Sequence, residues 1–374
     1  MKILILNETL NLGGAETLAV ELVNGLSAAG SNEVLFAAAD GPLRDRLSPE
    51  IKFYPIPLYS PYRVFAIIRS LEKIIDEIKP DIIHSQGATV GVLAGFAAKR
   101  VHSRAKVILT HHSNSAERLP DFLSTLLFKK YCDFFVAIYR EKYEALLRSG
   151  IQETKLALVP NFIDLSSVKQ IVRGIDTARL KNELGIQEGS FVLVTAGRLI
   201  PDKRFDAFIK IVALCAEKSG KRFTGIILGE GEARPELEAS AAKMPLNAEI
   251  MLLGYQKEVL KFLSLADVFV FPSRAEMLPM SLLEASAVGL PVVCSDIPGN
   301  REIVNHGFNG FVVKGPEADY CDAVLRVVND AELAAKMRVN AEKIITEKFE
   351  KSVVLKKFMQ LYSRLAVPGP GDEL

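Results

Sequence analysis

Apolar residues along this chain come in two alternating forms: short unbroken runs, and longer stretches with polar residues interleaved at helical spacing. Ile3–Leu6, Glu33–Ala37, Asp81–His84, Val107–Thr110 and Phe134–Ile138 are strand-sized runs. Ala15–Ala29 and Tyr62–Ile78 lie between them. The second of these repeats Val64, Ile67, Ile68, Leu71, Ile74, Ile75 and Ile78 on one helical face. Leu156–Asp164 closes this half, and Leu165–Glu188 reads as a connecting region. The alternation then resumes, with strands predicted at Phe191–Thr195, Phe223–Leu228, Ile250–Leu252, Val268–Phe271 and Pro291–Cys294. Helices fit at Phe205–Lys218, Pro235–Lys243, Lys257–Ala266 and Ser281–Val288, and a last one through Ser352–Leu365. Such alternation predicts the α/β class, with parallel sheets covered by helices on both faces. The expected division is an N-terminal domain over 1–165, completed by a returning helix at 352–366, a linker over 166–188 and a second domain over 189–351. The Pro-Gly-rich segment 367–374 is expected to be a disordered tail.

Length agrees with this division, since 374 residues exceed one ordinary domain and suit two of roughly 150–200 residues. Mean hydropathy is slightly positive at +0.19, but no apolar run approaches the roughly 20 residues of a membrane span. The first apolar run ends at Asn7 and Glu8, so it reads as a strand rather than a leader. A net charge of +1 gives no argument for nucleic acid, and the basic residues Lys99, Arg100, Arg104 and Lys106 read as a solvated helix end and loop. The cysteines Cys132, Cys215, Cys294 and Cys321 are too scattered for a zinc site or a disulfide framework, which favours a reducing, cytoplasmic location.

In open parallel sheets, ligands bind beyond the carboxyl ends of the strands, and two facing sheets would hold one in the cleft between them. Two segments carry chemistry at such positions. In FVLVTAGRLIPDKRFD, an apolar strand ends at Gly197, and Arg198 and Lys203 follow on the loop. Two cations there can stabilise the charge that grows on a departing diphosphate. In LADVFVFPSRAEMLPMSLLEASAVGLP, a strand runs to Pro272, Glu276 stands on the next loop, and a helix starts near Pro279. The free amides of Leu278, Pro279, Met280, Ser281 and Leu282 as a segment form a phosphate cradle (proline itself has no N–H). Glu284, one turn in, can accept hydrogen bonds from ribose hydroxyls, and Glu276 can reach the sugar.

These motifs resemble the retaining glycosyltransferases of family 4, which have the GT-B fold: two Rossmann-like doubly wound domains facing across a cleft. The resemblance runs through Gly13-Gly14-Ala15-Glu16, Thr110-His111-His112, Val159–Asp164, Gly197-Arg198-Leu199 with Lys203 and Asp206, Gly229-Glu230-Gly231, and the Glu276/Glu284 pair. It implies that Arg198 and Lys203 hold the donor diphosphate, Glu284 the ribose and Glu276 the sugar. It further implies that His112 lines the cleft near the reacting centre and that Gly14 lets its loop approach donor phosphate and acceptor. Gly197, Gly229 and Gly231 complete the donor site, whereas His111 and His84 read more simply as structural. Phe162, Met277 and Pro298 stand where the family has glycine. Met277 lies beside the sugar site, so this departure bears on donor choice.

The resemblance implies a retaining hexosyltransferase acting in cell-envelope polysaccharide, lipopolysaccharide or glycolipid synthesis. The donor is expected to be a UDP-sugar before GDP-mannose, and the acceptor a saccharide or lipid-linked sugar. No metal ligand is assigned and no cofactor is expected, since the chain lacks an Asp-x-Asp motif. The segment Phe122–Phe135 reads first as a core helix of the N-terminal domain, with peripheral contact at the inner membrane face as the alternative, since it sets Phe122, Leu123, Leu126, Leu127 and Phe128 beside Lys129 and Lys130. The competing readings are a non-catalytic nucleotide-sugar-binding subunit, a nucleotide-sugar 2-epimerase and a nicotinamide dehydrogenase. Against the last, Gly229-Glu230-Gly231-Glu232-Ala233-Arg234 lacks the third glycine of the dinucleotide fingerprint.

Overall fold

The computed structural model describes residues 1–110 and 121–366, and side chains throughout these except at 121–125. The chain divides into two compact units, Met1–Asn161 with Lys351–Leu374, and Phe162–Glu350. Among the described residues, the first unit contains β1 (Lys2–Thr9), β2 (Glu33–Ala39), β3 (Lys52–Pro55), β4 (Ile82–Ser85), β5 (Lys106–Thr110), β6 (Phe134–Ala137) and β7 (Leu156–Leu158). They form one parallel sheet in the order β3-β2-β1-β4-β5-β6-β7. The unbroken apolar run at Ile3–Leu6 has the reason such strands require: helices cover both faces, and all four residues are fully buried.

The second unit repeats the plan with β8 (Phe191–Ala196), β9 (Phe223–Leu228), β10 (Ala248–Leu252), β11 (Val268–Phe271), β12 (Val292–Ser295) and β13 (Gly310–Val313). Its order is β10-β9-β8-β11-β12-β13, again parallel. In each sheet the chain builds outward to one side and then returns to build the other. The reversal falls between β1 and β4 in the first sheet and between β8 and β11 in the second. A crevice opens at such a switch point, because the connections leaving the two central strands turn to opposite faces.

The segment read as a linker, 166–188, is mostly helical. It forms Leu165–Arg173 and Thr177–Glu183 and clusters with the second unit. Each helix begins at an aspartate cap: Asp164 Oδ1 accepts from the Ser167 amide at 2.9 Å, and Asp176 Oδ1 from the Arg179 amide at 3.0 Å. The final helix, Lys351–Ala366, buries Val354, Phe358, Leu361 and Tyr362 and packs against β4 and the helix Gly14–Ala28 of the first unit. No helix among the described residues is long and apolar enough to cross a membrane. Segments 111–120 and 367–374, which hold His111, His112 and the Pro-Gly-rich tail, lie outside the described residues.

Candidate functional site

The switch point of the second unit gathers most of the residues singled out in the sequence. β8 and β11 are neighbours, with Leu193 beside Val268 and Val194 beside Phe269, so the loops that leave their carboxyl ends start side by side. The β8 loop continues to pair with its other neighbour after the strand ends. Gly197 N donates to Leu228 O at 2.9 Å, and Leu199 N donates to Glu230 O at 2.9 Å. Extended pairing alternates side chains, so Leu199 turns into the core at 0% exposure and Arg198 is left in solvent.

The glycines at 229 and 231 follow from that contact. A Cβ at Gly229 would stand 1.9 Å from Gly197 O, and one at Gly231 would stand 2.4 Å from Leu199 O. Gly229 also adopts φ 141°, which side-chain-bearing residues avoid. Their observable role is therefore to let two loop backbones touch, which fixes the segment bearing Arg198.

Lys203 ends a short 3₁₀ turn, Pro201–Lys203, and Arg204 enters the helix Phe205–Ser219 with a left-handed φ of 51°. The Lys203 ammonium pairs with the Glu276 carboxylate and lies 5.4 Å from the centre of the Phe271 ring. Phe271 is the last residue of β11 and fully buried, so it gives the lysine stem an apolar floor. Arg204 pairs with Glu317 at 2.6 Å. A backbone hydrogen bond first, and then the Arg204 charge, hold the Glu317 carboxyl below the usual range against the cost of its burial. The Lys203–Glu276 pair is shielded on both sides, with side chains 19% and 10% exposed. An ammonium has three donors, so Lys203 can keep Glu276 and still donate to an anion arriving above it.

The β11 loop then enters the helix Met280–Ala287. Pro279 is its extended N-cap rather than its first helical residue, with ψ 128°. The Leu282 and Leu283 amides donate to Pro279 O, which leaves the Met280 and Ser281 amides without intrahelical acceptors. Leu278 and Leu282 are buried, so this stretch offers main chain and the Ser281 side, not its leucines, to a ligand. Glu284 follows one turn in, with no hydrogen-bond or ion-pair partner among the described residues. Burial pushes its carboxyl up to about 7. A half-buried carboxyl that is already partly desolvated can accept a ligand's hydroxyl donors at reduced further desolvation cost.

The remaining sites fall elsewhere. Gly14 is the exposed first residue of the helix Gly14–Ala28, which follows β1 at the switch point of the first unit. His84 at the end of β4 is fully buried, with Nδ1 2.6 Å from Tyr362 Oη and Nε2 2.7 Å from Thr110 Oγ1. It thus fastens the returning helix to the sheet. In the segment Phe122–Phe135, Phe128 and Cys132 belong to the first core, and Leu126 is 46% exposed. Phe122 and Leu123 fall outside the described side chains. Within the basic cluster, Arg100 pairs with Glu72 at 2.5 Å. Met277 is half-buried beside Glu276, and Phe162 is buried. Sequence reasoning overlooked Ser273, Ser295 and Asn300, which are buried polar residues at the same strand ends. Their signal was weak, for serine and asparagine are ordinary loop residues until burial is known.

Comparison with known proteins finds a family model along each half of the chain. Residues 12–167 match the model of Glycosyltransferase Family 4, and residues 176–344 match that of Glycosyl transferases group 1. The chain is 28% identical over 330 residues to the UDP-Gal:alpha-D-GlcNAc-diphosphoundecaprenol alpha-1,3-galactosyltransferase of Escherichia coli, covering 83% of this chain and 84% of that one. It is 23% identical over 370 residues to the N-acetyl-alpha-D-glucosaminyl L-malate synthase of Bacillus anthracis, covering 94% of each. In fold it is similar to Anabaena HepE, solved in complex with UDP-glucose, with a TM-score of 0.80, 20% identity, and coverage of 97% of this chain and 100% of that one.

Proposed function

We propose that this chain, which belongs to the GT-B glycosyltransferases matched by both of its halves, moves a hexose from a nucleotide sugar to an acceptor with retention of anomeric configuration. The observation that carries this reading is the grouping at the β8/β11 switch point. Lys203 is paired with Glu276, with the open amides of Met280 and Ser281 following on the same loop and the unpartnered Glu284 one turn beyond. In this reading Lys203, Arg198 and the helix amides hold the diphosphate and stabilise the charge it gains as the glycosidic bond breaks. Glu284 holds the ribose and Glu276 faces the sugar. Gly197, Gly229 and Gly231 set the loop that presents Arg198. His112 lines the reacting centre, and Gly14 lets its loop approach donor phosphate and acceptor. The acceptor hydroxyl attacks from the face the leaving group departs from, and its proton passes to the departing phosphate oxygen. No metal is required, because the cations and amides supply the counter-charge.

The donor is a UDP-sugar in preference to GDP-mannose. The UDP-Gal of the E. coli relative's name and the UDP-glucose bound in the HepE structure support that order. The acceptor is a saccharide or lipid-linked sugar in bacterial envelope polysaccharide, lipopolysaccharide or glycolipid synthesis, worked on from the cytoplasmic side. A diphosphoundecaprenol-linked acceptor in that same relative's name supports the lipid-linked form. Such an acceptor calls for peripheral contact with the membrane. The first unit has a surface suited to it. Tyr62 is 97% and Phe65 80% exposed at the start of the helix Val64–Ile78, with Arg63 and Arg69 exposed beside them. The buried Phe128 and Cys132 suit the segment Phe122–Phe135 less well.

A thermal-shift panel of UDP- and GDP-sugars tests the donor. The true donor at 100 times its Kd should stabilise the protein by about 2.7 kcal/mol. Transfer to lipid-linked acceptor, measured with and without EDTA, tests the rest. Binding without turnover would favour a non-catalytic subunit, and conversion of the free nucleotide sugar to its 2-epimer would favour an epimerase. Loss of transfer in EDTA that manganese restores would overturn the metal-free mechanism.

A further inference from the structure

Loops leaving the carboxyl ends of β8, β11 and β12 are tied together by buried side chains. Ser295, the last residue of β12, donates from Oγ to Ser273 O at 2.5 Å. Asn300, in the helix Pro298–Ile303, donates from Nδ2 to both O and Oγ of Ser295, each at 3.1 Å. Ser273 in turn directs its hydroxyl to Asp202 O at 3.1 Å, and the Arg274 amide bonds that same oxygen at 2.8 Å. Asp202 immediately precedes Lys203, and Ser273 lies three residues before Glu276. Ser273 and Asn300 are fully buried and Ser295 is 8% exposed, so none of the three is a surface group.

The helix bearing Asn300 also supports the Glu276 loop directly. A Cβ at Gly299 would stand 1.9 Å from Met277 O and 2.8 Å from Glu276 O, so the main chain of the two segments is in contact. Burying three polar side chains costs free energy that hydrogen bonds only offset, and apolar residues of similar size would fill the same space. The direction of the bonds is what an apolar filling would lose. They run from β12, through the β11 loop, to the residue that adjoins Lys203.

We infer that Asn300, Ser295 and Ser273 are positioning residues, a buried hydrogen-bond relay that sets the Lys203 loop against the Glu276 loop. The inference rests on the reading of Lys203 as a diphosphate-holding group and Glu276 as a group facing the sugar. A displacement of about 1 Å in such groups costs on the order of 10²-fold in rate, so a relay that fixes their spacing has a measurable effect without touching substrate.

The test is a double-mutant cycle read by calorimetric titration with UDP and with GDP, following the nucleotide that binds more tightly. Ser295→Ala is made alone and in a Lys203→Ala background. A relay acting through Lys203 predicts about 5- to 10-fold weaker binding from Ser295→Ala in the intact protein and less than about 2-fold in the Lys203→Ala background. Ser295→Thr, which keeps the hydroxyl, should bind within about 2-fold of the intact protein. Should Ser295→Ala fail to fold, Ser273→Ala gives the same comparison, since it leaves the Ser295–Asn300 bonds in place. Equal weakening in both backgrounds, or none in either, overturns the relay while leaving the role of Lys203 standing. Unchanged affinity in Lys203→Ala alone overturns the underlying reading and the relay with it.

Discussion

The half-buried Glu284 carboxyl is pushed up to about 7 by desolvation, because ionising it places charge in a protein environment with no partner among the described residues. Since the unfolded chain gives up that proton near the ordinary value of 4.5, ionisation opposes folding. That cost is absent below 4.5, grows as the pH rises through the interval, and is complete above about 7. Ribose hydroxyls donating to the carboxylate favour its charged form, so nucleotide binding should release a proton and tighten as pH rises. Affinity is expected to be up to about tenfold weaker at pH 6 than at pH 8, by titration calorimetry. Glu284→Gln should remove that difference, apart from the titration of the nucleotide's own phosphate, which both proteins share. An unaltered pH profile in the variant would exclude Glu284 as the titrating group. Kinetics separate the two glutamates. Ribose does not react, so Glu284→Gln should chiefly raise donor KM. On the proposed assignment Glu276 faces a sugar ring that gains positive charge, so Glu276→Gln should lower kcat by about 10²-fold, or about 2.7 kcal/mol, with little change in donor affinity. Full kcat in Glu276→Gln, with turnover abolished in Glu284→Gln at saturating donor, would reverse the assignment.

At the scale of elements, the second unit brings the proposed donor-binding groups together through the side-by-side ends of β8 and β11. The helix Met280–Ala287 contributes main-chain amides, the 3₁₀ turn Pro201–Lys203 a cation, and the glycine contacts at 229 and 231 the rigidity that keeps the neighbouring loop in place. In the first unit the start of the helix Val64–Ile78 works differently. It leaves Tyr62 and Phe65 in solvent beside two arginines, an apolar and cationic combination suited to anionic headgroups. Flotation with vesicles rich in anionic lipid should recover the protein at low salt. The double variant Tyr62→Ser and Phe65→Ser should lower the recovered fraction several-fold, because each aromatic loses interfacial burial. Undiminished flotation in that variant would shift the contact to another surface, with 122–135 the next to test.

Across the whole molecule, each unit has its own apolar core, and the chain returns to the first through its last helix. The buried Tyr362 hydroxyl, 2.6 Å from His84, belongs wholly to that first unit. Tyr362→Phe should therefore lower stability by about 1–3 kcal/mol, seen in the unfolding midpoint, and leave nucleotide affinity unchanged. A matching loss of affinity would reveal coupling between the units. By itself the sequence determined the class of fold, because buried parallel strands demand unbroken apolar runs and their covering helices demand 3.6-residue periodicity. It also singled out the charged residues that the second unit gathers at its switch point, since Arg198, Lys203 and Glu276 follow predicted strand ends and Glu284 lies one turn into the next predicted helix. It did not reveal β3, whose Lys52–Pro55 has a charged residue at an edge position, nor β13, whose Gly310–Val313 opens on a glycine directly after the turn-forming residues 305–309. The helices within 166–188 were also hidden, as their aspartate caps lead into stretches of mixed polarity. Only tertiary structure decided that Lys203 meets Glu276 across 73 residues of chain, that Glu284 has no partner among the described residues, and that three polar residues lie buried behind them. Such facts depend on which strands become neighbours, and strand order is fixed by packing between distant segments rather than by any local pattern.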